Sequence, residues 1–142
     1  FKGAKDLKEG FSYNIQVNQI YDFYGLKEIK DFNILKENSS FKNYKDLFLD
    51  GSKIDIFDFK YENEVITNLK GFITKGNLQI NGGKTIKLFA KDKNILPKDG
   101  STIEILNAQL GSYRGNMQII FHTKDDYKEL KWSKKVAKKI DC

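Results

Sequence analysis

The stretch KEGFSYNIQVNQIYDFYG, Lys8 to Gly25, returns later in the chain as KDGSTIEILNAQLGSYRG, Lys98 to Gly115. A shift of 90 positions lays Lys8 on Lys98, Gly10 on Gly100, Ile15 on Ile105, Gln19 on Gln109 and Gly25 on Gly115. Glu9 then meets Asp99, Ile20 meets Leu110 and, past the second turn, Ile29 meets Ile119. In the first copy Phe11, Tyr13, Ile15 and Val17 share one face of a strand before the phase shifts near Asn18. DFYG follows as a turn, and LKEIKDFNILKE runs on from Leu26 as a second strand. The chain therefore carries one β-hairpin twice.

Between the copies, EVITNLKGFIT, LQI and KTIKLFA are short alternating runs separated by KGN and NGG. Tight Gly- and Asn-rich turns between such runs predict a three-stranded antiparallel meander. LPKDGS, with the chain's single proline at Pro97, breaks it. TIEILNAQL, the GSYRGN turn and MQIIFHT supply two more strands. Five strands from Glu64 to Thr123, three and then two, match the oligonucleotide/oligosaccharide-binding barrel, the OB-fold. Gly71, in the middle of the first strand, fits a sharp barrel bend. The helix that usually joins the third and fourth strands has little room in KDKNILPKDG. Ile73, Ile80, Ile86, Leu88, Ile103, Ile105, Ile119 and Phe121 are the expected interior.

The expected architecture is all-β: an OB-like barrel over 64–124, preceded over 1–63 by the extra hairpin and a linker. Residues 125–142 are expected to form a basic helix. SSFKNYKDLF sets Phe41, Tyr44 and Phe48 at helical spacing and predicts two further turns of helix. In the tail, Trp132, Val136 and Ile140 recur every four residues among lysines, with Tyr127 and Leu130 nearby, the pattern of an amphipathic helix. Such a helix docks its apolar stripe on the barrel, contacts phosphates, or lies on a membrane surface.

The patterns LKEG…YDFYGLKEI, YENEVITNLKGFIT and LPKDGSTIEI…GSYRGNMQI resemble the tandem OB-like modules of secreted bacterial nucleases. Tyr24, Gly25 and Leu26 match the end of that family's first hairpin motif, and Glu64 to Gly71 is similar to its E-x-x-x-V-T-L-x-G strand. The resemblance spans residues 7–37 and 61–123. It implies export and association with DNA, and it places the metal-dependent catalytic domain of those nucleases outside this sequence.

Composition narrows the chemistry. The 142 residues are 39% hydrophobic and 13% aromatic, enough for a globular core. No apolar run approaches the roughly 20 residues of a membrane span. The chain starts at Phe1 without methionine, which fits removal of an export signal or the way the gene was expressed. The expected location is the periplasm, cell surface or medium, with the cytoplasm as the alternative. The net charge is +6, almost all of it lysine, with Arg114 the only arginine. A lysine-rich composition also follows from an AT-rich genome, so charge alone does not name an anionic partner.

Catalysis is not expected. Cys142 is the only cysteine and excludes an internal disulfide or a thiolate zinc site. One arginine cannot clamp a phosphate as the two arginines of the calcium-dependent OB-fold nucleases do. His122 is the only histidine and lacks companions for proton shuttling. Asp55, Asp58, Asp125 and Asp126 read as turn and surface residues rather than metal ligands. No cofactor or metal is expected, and weak nuclease activity is the minority reading.

The outer face of the barrel remains. Alternation sends Lys70, Phe72, Gln79, Lys87 and Phe89 outward, aromatic rings among lysines on the strands where OB-folds bind single strands. Tyr113 and Arg114, in the last turn, are expected at its border. The expected function is non-catalytic binding of single-stranded nucleic acid. The alternative is an exported module that binds a protein or glycan of the cell envelope or surface. The two rings have a bland reading as well, as surface covered by the extra hairpin or the tail.

Overall fold

The computed structural model describes residues 6–38 and 43–130. The chain divides into two compact units. One is built on residues up to Phe48 together with Ser112–Asn116, the other on Leu49–Gly111 and residues from Met117 onward. The class is all-β.

In the first unit β1 (Tyr13–Phe23) pairs antiparallel with β2 (Leu26–Glu37), from Tyr13 opposite Glu37 to Phe23 opposite Leu26. Bulges interrupt the ladder between Asn14 and Ile15 and around Asn18, where the apolar alternation of the sequence changes phase. The two-residue turn puts Tyr24 at φ 50° and Gly25 at φ 103°, with Gly25 N donating to Asp22 Oδ1 at 2.7 Å. The second copy of the hairpin repeats this backbone: Arg114 and Gly115 sit at φ 51° and 83°. Gly10 and Gly100, which open the two copies, match at 87° and 90°. The duplicated letters thus encode duplicated turns. The helix expected over 39–48 reduces to one 3-10 turn, Tyr44–Leu47, capped by the Asn43 side chain; residues 39–42 lie outside the described residues.

Nine further strands are described, mostly in the second unit, with Ser112 and Tyr113 of the seventh and Asn116 of the eighth assigned to the first unit. They are β3 (Leu49–Asp50), β4 (Val65–Thr67), β5 (Leu69–Thr74), β6 (Asn77–Gln79), β7 (Thr85–Phe89), β8 (Thr102–Ile105), β9 (Ala108–Tyr113), β10 (Asn116–Ile120) and β11 (Tyr127–Leu130). Their hydrogen-bonded order is β11-β8-β5-β6-β7-β10-β9-β4-β3, so the ladder does not close into the expected five-stranded ring. Two interruptions explain the larger count. Asn68, at φ 58°, separates β4 from β5. Leu106 and Asn107 separate β8 from β9 and turn their N–H groups to the Asp126 carbonyl at 2.9 and 3.0 Å.

Inward side chains follow the alternation. Ile73, Ile86, Leu88, Ile103, Ile105, Ile119 and Phe121 are buried, whereas Ile80 is only partly buried and packs at the edge of the core. Ile56, from the stretch read as linker, joins them. Gly71 is required by a close approach: a Cβ there would stand 2.6 Å from both Gln79 O and Leu78 Cδ1.

The tail corrects a second expectation. Tyr127–Leu130 is a strand paired with β8, with Tyr127 opposite Ile105 and Leu130 opposite Thr102, not the start of a helix. Thr123 and Asp126 form a reciprocal capping box that opens the 3-10 turn Lys124–Asp126, and Tyr127 emerges from it extended. Its ring packs 4.9 Å from Phe121, and its hydroxyl donates to Ile95 O at 2.7 Å. The rest of the expected helix, from Lys131, lies outside the described residues.

Candidate nucleic-acid interface

Pleating decides which side chains reach the outer surface of the second unit. Along β5, Leu69 and Ile73 are buried while Lys70 and Phe72 are exposed; along β7, Ile86 and Leu88 are buried while Lys87 and Phe89 are exposed. Gln79 on β6 is exposed and stands directly opposite Phe72. Phe72 is 44% exposed and Phe89 41%, so each ring is half-exposed. Among those residues neither Lys70 nor Lys87 forms an ion pair.

The strand register sets the spacing of the rings. Thr102, Phe72, Gln79 and Thr85 form one cross-strand row. Phe89 lies four residues beyond Thr85 on β7. Two strand spacings across and four residues along separate the two rings by about 16 Å. They cannot hold adjacent stacked bases. Each serves its own position on the surface.

Beside Phe72 lies a groove of ≈ 500 Å³, lined among others by Lys70, Phe72, Gln79, Asn81 and Thr102. Sequence reading missed Asn81, which stands in the NGG turn between β6 and β7; the turn motif marked a bend and said nothing of its side chain.

Tyr113 and Arg114, expected at the border of this face, belong to the first unit. There the Arg114 guanidinium lies 4.7 Å from the Tyr24 ring centre and 5.2 Å from that of Tyr113. The two rings are 4.9 Å apart, with Phe23 4.9 Å from Tyr24. Arg114 N also donates to Tyr24 O at 3.0 Å. Tyr24 was not expected at a site. Its position in the repeat, equivalent to Arg114, was the available signal.

His122 is exposed, with Nε2 2.9 Å from Gln109 Oε1, and Gln109 Nε2 donates to Asn63 Oδ1 at 2.8 Å. Its ring is held by an amide chain. Asp126 is 4% exposed and accepts from His122 N, Thr123 N, Thr123 Oγ1 and Asn107 Nδ2 at 2.6 to 3.1 Å. That carboxylate is fully spent on the chain around it. No group of three or more potential metal-ligating side chains occurs among the described residues. No described helix is long and apolar enough to cross a membrane.

No family model matches the chain, and neither the curated proteins nor the solved structures contain a match to it.

Proposed function

We propose that the second unit is a non-catalytic OB-like domain that binds single-stranded nucleic acid on its outer face. The observation that carries the reading is two half-exposed phenylalanines, Phe72 and Phe89, beside lysines without ion pairs. Bases of any sequence stack on such rings while the lysines attract the backbone.

Strand order supports the OB-like part of the reading. β4 and β5 are consecutive halves of one bent strand, and β8 and β9 are halves of another. β8 pairs with β5 and β9 with β4, both antiparallel. Treating each pair of halves as one strand gives the order one-two-three-five-four-one, with β10 parallel to β7. That order is what supports an OB-like reading. Export is the location this reading carries.

A second reading, an exported protein-interaction module, is favoured by the first unit. Ile20 and Leu35 are 63% and 65% exposed there.

Fluorescence anisotropy of a labelled oligothymidylate, titrated with protein at several salt concentrations, tests the first reading. Binding should weaken steeply with salt and with Phe72→Ala. Absence of binding at low salt overturns it.

A further inference from the structure

We propose that the outer face carries two like nucleotide clamps, Lys70 with Phe72 and Lys87 with Phe89, set so that one single strand crosses β5, β6 and β7 to occupy both. This rests on the nucleic-acid reading above.

The chain spells the same unit twice. Lys70-Gly71-Phe72 on β5 and Lys87-Leu88-Phe89 on β7 each put an exposed lysine and an exposed ring on one strand face, about 7 Å apart. Neither lysine forms an ion pair among the described residues. β5 and β7 both run antiparallel to β6, so they run parallel to one another and the two units point the same way. The offset from Lys70 to Lys87 therefore equals that from Phe72 to Phe89, about 16 Å, to within the twist of the sheet.

A polymer of repeating units fits such a pair. The number of nucleotides that carries a base from Phe72 to Phe89 also carries a phosphate from Lys70 to Lys87. A single strand advances about 3.4 Å per nucleotide when stacked and roughly twice that when drawn out. Rings about 16 Å apart thus hold bases at least two steps from each other, and a dinucleotide reaches only one ring. Between the clamps β6 turns outward Asn77, opposite Lys87, and Gln79, opposite Phe72. Neither has a ring, so the intervening bases cross β6 without a stacking partner.

The test titrates a thymidine dinucleotide and hexathymidylate into the parent, Phe72→Ala, Phe89→Ala, Lys70→Gln and Lys87→Gln proteins. Amide NMR shifts on β5 and β7 report each clamp, and thermal melts confirm that each variant folds. The dinucleotide should fill two weak sites, one moving β5 signals and one moving β7 signals. Phe72→Ala and Lys70→Gln should weaken the first and spare the second, with Phe89→Ala and Lys87→Gln doing the reverse. Hexathymidylate should bind one to one and at least about tenfold more tightly than the dinucleotide, and loss of either ring should remove that gain. Hexathymidylate no tighter than the dinucleotide, or unaffected by Phe89→Ala, overturns the paired clamps and leaves the Phe72 reading standing. A dinucleotide that senses both rings from one site overturns the spacing argument in the same way. No binding of hexathymidylate at low salt overturns both.

Discussion

Lys70 stands directly opposite Glu104 across the β5–β8 pair, yet the carboxylate of Glu104 makes its ion pair with Lys128, at 3.6 Å. The acid beside the candidate face is thereby matched from β11, and the charge of Lys70 is left unspent. Exposed ion pairs contribute little to stability, so the effect of this pairing is on binding rather than folding. Lys70→Gln and Lys87→Gln should each flatten the dependence of log affinity on log salt by about 0.7 for a single strand. Equal slopes for parent and variants, in anisotropy titrations, would exclude phosphate contacts by these lysines.

Phe72→Ala and Phe89→Ala separate stacking from packing. Each should cost about 1–3 kcal/mol of single-strand affinity. With more than two-fifths of each side chain exposed, neither should approach the 3–5 kcal/mol stability loss of a core phenylalanine. Phe121→Ala, at 1% exposure, should reach it in a denaturant melt.

Gly71→Ala should destabilise the second unit by about 1–3 kcal/mol, because the added methyl meets a backbone carbonyl and a packed leucine. Unchanged melting would mean that β6 shifts freely away from β5.

Tyr127→Phe tests the strand that replaced the expected helix. Loss of the hydroxyl removes one hydrogen bond to Ile95 O and should cost about 1 kcal/mol. A helical Tyr127 would have no such partner, and the substitution would be silent.

Acid should loosen the Asp50 loop, where bonds from the Ser52 hydroxyl and N–H, and then from Asn68 Nδ2, hold the carboxyl below its usual pKa. A carboxyl whose folded pKa is depressed contributes stability above its unfolded pKa and loses it as pH falls through the folded value. Amide exchange at Ser52 and Gly51 should therefore rise only below the ordinary aspartate range. A rise near neutrality would contradict the hydrogen bonding described.

Legibility followed the length of the pattern. Alternation over LKGFIT and KTIKLF placed every inward and outward side chain of β5 and β7, since a six-residue run allows one assignment only. The repeat located both x-Gly turns and the opening glycines. Two-residue β3 has no period to read. YKEL suits one helical turn as well as an edge strand, and only the pairing with β8 and the Tyr127 hydroxyl decide between them. Asn68 breaks its strand by a left-handed backbone that the side chain permits without announcing.

The short β3 has a colloidal consequence. A sheet edge of two residues presents too few free N–H and C=O groups to recruit another chain, and the opposite edge, β11, carries Lys128 and Glu129. The nine-stranded sheet is thus guarded against edge-to-edge aggregation at both ends. The β1–β2 ribbon, with strands of 11 and 12 residues and exposed Val17, Ile20 and Leu35, is guarded instead by its bulges and by the charges of Lys27, Glu28, Lys30, Asp31, Lys36 and Glu37 along β2. Replacing the β2 charges with apolar residues should therefore promote fibrils in concentrated solution.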